Sequence, residues 1–237
     1  MNLPCALLLL LMLLVPAAAQ DNGPRQDTAG IPTDRSEILQ LQIFLDQHLF
    51  GPGKLDGAVG EFTYKAVVNY NYAKGHRDLY NWQPALAAAA KEVPVMYASF
   101  KIRPELLQHV IPDLPEAPEK QVEYPAMAYR SLVELVAERF HTDETFLAKL
   151  NPDKNLARLK PGDSVVVPNI RSFRIEEVKP LASYKADPVL SKNTIVIDTT
   201  ERIAVVYGPG EKFLAAFPIT PGKPEFIPVG HWEVTTI

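Results

Sequence analysis

Four prolines and four acidic residues crowd the fifteen positions Ile111–Pro125, IPDLPEAPEKQVEYP. Each proline lacks an amide N–H and fixes its own φ, so neither a continuous helix nor a central strand is expected across this stretch. The chain is thereby divided, since an amphipathic pattern on one side cannot run on into the other. Val178–Asn193, with Pro180 and Pro188 among polar residues, is a second and weaker break. The resulting division is a polar leader at 20–33, a first unit at 34–110, a Pro-rich linker at 111–121, a second unit at 122–170, a linker at 171–192 and a third unit at 193–237.

The first nineteen residues concern compartment rather than fold. Leu3–Val15 is almost wholly apolar and leads into Pro16-Ala17-Ala18-Ala19-Gln20, the outline of a signal peptide with small side chains at its cleavage site. The run is shorter than the about 20 residues that span a bilayer, so export to the periplasm or cell wall is expected, with no membrane association after cleavage before Gln20 or Asp21; the alternative, since no Lys or Arg precedes the run, is an uncleaved anchor. Cys5 is the only cysteine of the 237 residues. The mature chain is thus expected to have no disulfide, no thiolate metal site and no Cys nucleophile. With 28 acidic against 24 basic side chains and no dense Lys/Arg run, nothing supplies a phosphate-neutralising surface, and nucleic acid is excluded as a partner.

In the first unit Ile38, Leu41, Leu45 and Leu49 recur at helical spacing behind an Asp34/Glu37 capping pair. A glycine-rich loop, Gly51–Gly60, separates this helix from a second, marked by Thr63, Ala66, Val67 and Tyr70, that Gly75 can close. One carboxylate, Asp56, lies in the loop; a calcium loop needs several oxygen ligands at alternate positions, so no metal is expected. Pro52-Gly53, Leu55-Asp56-Gly57, Gly60, Thr63, Ala66-Val67 and Tyr70 resemble the small helical peptidoglycan-binding domain of wall hydrolases and transpeptidases, with Asn71 where a Gln is common. That resemblance implies a peptidoglycan site, and Leu55, Asp56, Gly57, Thr63 and Tyr70 are its candidate residues. The alternative for the same five is a helix–loop–helix core in which Asp56 caps and Leu55 packs. Farther on, Tyr80, Trp82, Tyr97 and Phe100 are either a sugar-stacking surface or core.

The second unit places Leu132, Leu135, Val136 and Phe140 on one helical face, then Thr142 as a cap and Phe146, Leu147 and Leu150 on another. Asn151-Pro152 ends that helix, Lys160-Pro161-Gly162-Asp163 turns, and Ser164–Asn169 reads as a short strand. Its second half resembles a LysM domain, the βααβ module that grips N-acetylglucosamine polymers. The first half departs from that pattern, because the usual Gly-Asp turn is missing around Ala128 and Tyr129. His141, at the helix junction, reads as a solvated or capping residue.

The third unit changes period. Thr194–Asp198 and Ile203–Tyr207 are β-branched runs around a polar turn, followed by Phe213–Ile219 and by Gly230–Val234: four strands and no helix. Ile195–Asp198, Phe217-Pro218-Ile219-Thr220-Pro221-Gly222 and Pro228–Val234 resemble the opening of an L,D-transpeptidase catalytic domain. In that family a Cys attacks a stem-peptide carbonyl and a nearby His activates it. Neither the Ser-x-Gly-Cys nor the His-Gly segment occurs in residues 20–237, so no catalytic residue is expected in this chain, and the chain is expected to stop short of that segment. No His-x-x-x-His pair, phosphate loop or dinucleotide fingerprint is present either, and no cofactor is expected. The sequence therefore predicts a multidomain α+β protein: a helical peptidoglycan-binding-like domain, a βααβ LysM-like domain and the start of a β-rich catalytic domain. Its expected partners are peptidoglycan glycan and stem peptides.

Overall fold

The computed structural model describes residues 30–124, 128–177 and 187–233. The expected signal peptide, most of the leader and the end of the fourth expected strand lie outside them. The architecture is mixed α+β, with two small antiparallel sheets.

Helices α1 (Arg35–Gln47), α2 (Glu61–Ala73) and α3 (Gln83–Glu92) bury their apolar faces in one core with Phe44, Leu55, Tyr70 and Trp82. Asp34 caps α1, accepting from the Ser36 amide at 2.8 Å. The expected α1 face holds for Ile38, Leu41 and Leu45, but Leu49 is exposed and sits past the helix at φ +66°. There its carbonyl accepts from the Ala216 amide at 3.0 Å, so Leu49 turns the chain out of the helix rather than extending the stripe. Gly75, at φ +72°, closes α2 as expected.

Strand β1 (Tyr97–Lys101) pairs antiparallel with β2 (Ser164–Pro168), Ser99 opposite Val166. A segment grouped by the sequence with the first unit thus supplies the opening strand of the second. The proline-rich stretch contains one short helix, α4 (Pro118–Gln121); a helical turn forms there because Pro118 sits in its first turn, where a missing N–H costs nothing. Val110 bridges Tyr129, and Ile111 N donates to Tyr129 O at 2.7 Å, so the ends of the stretch meet and the chain leaves and re-enters one unit. Helices α5 (Leu132–Arg139) and α6 (Glu144–Leu150) complete a second core of Ile102, Leu106, Leu135, Val136, Leu147 and Val165. Asp143, not Thr142, caps α6 by accepting from Phe146 N at 2.7 Å. Asn151 ties the end of α6 to β2, its Nδ2 donating to Val166 O and its Oδ1 accepting from Val166 N, both at 2.8 Å.

Strands β3 (Thr194–Asp198), β4 (Ile203–Gly208) and β5 (Lys212–Pro218) form a meander in that order. Asp198 shapes the β3–β4 turn by accepting from the Thr200 and Glu201 amides. Residues 230–233, the described part of the expected fourth strand, form no strand. No helix among the described residues is long and apolar enough to cross a membrane.

Candidate functional site

The glycine-rich loop after α1 is held by Gln42, a fully buried amide on the helix's inner face. Its Oε1 accepts from the Asp56 amide at 3.1 Å and the Gly57 amide at 2.9 Å. Its Nε2 donates to Ala58 O at 2.9 Å and reaches Thr63 Oγ1 at 3.2 Å. Thr63 passes the network on, donating to Pro52 O at 3.2 Å. Gly57 stands at φ +67°, and a Cβ there would come within 2.7 Å of the Arg35 carbonyl oxygen, so only glycine fits.

Four of the five residues that the sequence offered for peptidoglycan, Leu55, Gly57, Thr63 and Tyr70, are buried. Leu55 packs in the core, Tyr70 stands edge-on to Phe44 at 5.2 Å, and Thr63 belongs to the Gln42 network. Asp56 is partly exposed, and its carboxylate accepts from the Ala58 amide at 2.8 Å. Asp56, Gly57 and Thr63 meet at Gln42, whereas Leu55 and Tyr70 lie in the hydrophobic core. Among the aromatics, Trp82 is core, whereas Tyr80 and Tyr97 reach the surface.

What the loop frame does is present its outer side to the α5–α6 junction. Leu55 N donates to His141 O at 2.8 Å, and Thr142 Oγ1 donates to Leu55 O at 2.7 Å. Lys54 pairs with Asp143 at 3.3 Å, and His141 Nδ1 lies 2.7 Å from Asp46 Oδ1. A carboxylate only accepts, so Nδ1 carries the proton. The bond to Asp46 raises the His141 pKa above its ordinary value, against the opposing pull of burial. Burial raises the Asp143 carboxyl, but the Phe146 amide and Lys54 outweigh it and leave it below its ordinary range.

The third unit closes the other side. The Ala216 carbonyl accepts from Gly51 N at 2.8 Å, Phe50 stacks on Phe213 at 6.1 Å, and Arg202 pairs with Glu61. Between the three units opens a cleft of about 640 Å³, lined by Lys54 and Phe62, by Glu138, His141 and Glu144, and by Pro218 and Thr220. Arg202 lies over one side of the Phe62 ring, 5.3 Å from its centre. Carboxylates, an imidazole and hydroxyls beside a ring suit a polyhydroxylated ligand.

Sequence reasoning missed Gln42, because a polar residue in an apolar stripe reads as a pattern defect. It also missed Asp46 and Asp143, whose partners lie in another unit. No group of side chains suited to a metal occurs among the described residues. No family model matches the chain, and no curated protein matches it.

Proposed function

We propose that this is a peptidoglycan-associated cell-wall protein of the L,D-transpeptidase kind, whose first two units hold the wall polymer and whose residues 20–237 perform no acyl transfer. The observation that carries the reading is the order β1, α4, α5, α6, β2, with the two strands antiparallel and sharing a core with α5 and α6. A strand before and a strand after the two helices support the LysM-like reading, the first being Tyr97–Lys101, ahead of the Ala128 region where the Gly-Asp turn is missing. The inward packing of Leu55, Thr63 and Tyr70 also supports a peptidoglycan-binding-like fold for the first unit, with recognition on surfaces outside that core. The three-unit cleft is the proposed sugar site: Phe62 offers a ring face and Glu144 an exposed acceptor. Wall binding without catalysis is the second reading, favoured by the sugar-suited cleft between the three units.

Purified residues 20–237 should co-sediment with peptidoglycan and give no transfer from a tetrapeptide donor. Phe62→Ala and Glu144→Gln should each lower the sedimented fraction severalfold. Measurable transfer, or a protein that stays in the supernatant, would overturn the proposal.

A further inference from the structure

A second cleft, of about 470 Å³, lies between β1, the end of α5 and residues 172–177 and shares no lining residue with the first. Its floor is Arg139, in the last turn of α5, which is 4% exposed and has its guanidinium 5.1 Å from the Phe100 ring centre. Arg139 Nη1 and Nη2 donate to the two oxygens of Glu176 at 2.9 and 3.0 Å, a two-point fork, and Arg103 donates to the same carboxylate. The Arg139 Nε finds no hydrogen-bond partner among the described residues. Burying a guanidinium this fully is costly unless it is paired, and the planar fork here is matched by the two oxygens of a carboxylate.

Glu176 belongs to neither sheet nor α-helix. It stands in the three-residue 3₁₀ turn Ile175–Glu177, at the end of an irregular strap that Phe173 N holds to Arg139 O at 3.1 Å. The Arg139 hydrogen bonds, against opposing burial, hold its carboxyl at about 2, so the occupant is ionised at any physiological pH. The cleft lining carries four cationic side chains, Lys101, Arg103, Arg139 and Arg174, against two carboxylates, Glu176 and Glu177. In a chain of net charge −4 this is a local cationic excess. Arg174 is taken by Glu177 at 2.6 Å, whereas Lys101 is exposed and pairs with no carboxylate among the described residues.

We infer that the Arg139–Arg103 fork, with Lys101 beside it, is a receptor for a carboxylate-bearing peptide, and that Glu176 occupies it in the absence of ligand as an internal stand-in. On the reading of the preceding subsection, on which the identity of the ligand rests, that peptide is an acidic stem of the wall polymer. Binding exchanges one carboxylate for another at the same two guanidinium nitrogens, so no buried charge is left unpaired. It also frees the 171–177 strap. The wild-type affinity is lowered by the fraction of molecules in which Glu176 holds the fork.

The test is titration of ¹⁵N-labelled residues 20–237 with an N-acetylated dipeptide ending in D-Glu, followed at the Arg139 and Arg103 Nε–H resonances. The fully amidated dipeptide and inorganic phosphate serve as controls. The free acid should shift both resonances, the two controls neither. Glu176→Gln should bind the acid at least tenfold more tightly than wild type, and Arg103→Gln at least tenfold more weakly. Arg103 is half-exposed, so its loss leaves the core intact. Equal shifts with the amide or with phosphate, or an unchanged affinity in Glu176→Gln, would overturn the inference. Co-sedimentation with peptidoglycan, run in parallel, separates the two proposals: sedimentation without dipeptide binding sinks this one alone, and dipeptide binding without sedimentation sinks the wall reading.

Discussion

A single amide, Gln42, decides whether the glycine-rich loop has a shape. It satisfies the Asp56 and Gly57 N–H groups and the Ala58 carbonyl from one buried position, and each such group left unpaired costs about 1–3 kcal/mol. Gln42→Ala should therefore destabilise by roughly 2–4 kcal/mol in urea unfolding. Asp56→Asn, which keeps an acceptor for the Ala58 amide at a partly exposed site, should stay within about 0.5 kcal/mol. Equal losses in the two variants would mean that the carboxylate, not the amide, organises the loop. At this scale the sequence was legible for the loop, which its glycines marked between two helices, and illegible for Gln42. The loop signature shows which positions matter without showing whether their side chains face inward or outward.

Between elements, the contact that joins α1 to the α5–α6 junction is the His141–Asp46 pair. Asp46 and Glu138 are the charged groups acting on His141, and both favour its protonated form. A His whose folded pKa lies above its ordinary 6.5 contributes stability that is fully present below about pH 6.5 and is lost as pH rises through the folded value. The urea midpoint of wild type minus that of His141→Gln should accordingly shrink from pH 6 to pH 9, and Asp46→Asn should abolish the trend. A difference that stays flat or grows with pH would show that the pair is not ionic. The sequence placed His141 at the junction, and it could not supply Asp46, which approaches only when the two units dock.

Over the whole molecule, the three units do not stand apart. Ala216 of β5 is buried in the core built by α1–α3, Phe213 and Val205 pack against it, and Phe146 and Ile170 of the second unit do the same. Heating residues 20–237 should give one calorimetric transition, with van't Hoff and calorimetric enthalpies agreeing. Ala216→Asp, which puts a charge into that shared core, should cost more than about 3 kcal/mol and lower the melting of the helical unit together with the sheet. Separate transitions, or an Ala216→Asp protein whose helices melt unchanged, would mean that the sheet is only a neighbour. The proline breaks suggested independence because composition marks where regular structure stops; it is silent on whether the pieces afterwards bury surface against each other.

The sequence by itself determined the elements whose hydrogen bonds are local. Helices α1, α2 and α5 follow from spacing and caps, since each of their bonds closes within a few residues, and the β3–β4 hairpin follows from two β-branched runs around a short turn. Only the tertiary structure decided what β1 pairs with. A strand's bonds go to another segment, and Tyr97–Lys101 finds Ser164–Pro168 across the whole of the second unit. The same holds for Asp143 as the α6 cap, because Thr142 is claimed by the Leu55 carbonyl, and for Glu176 on Arg139. Charge and cap propensity are properties of a residue, but the partner that uses them is set by the path of the folded chain.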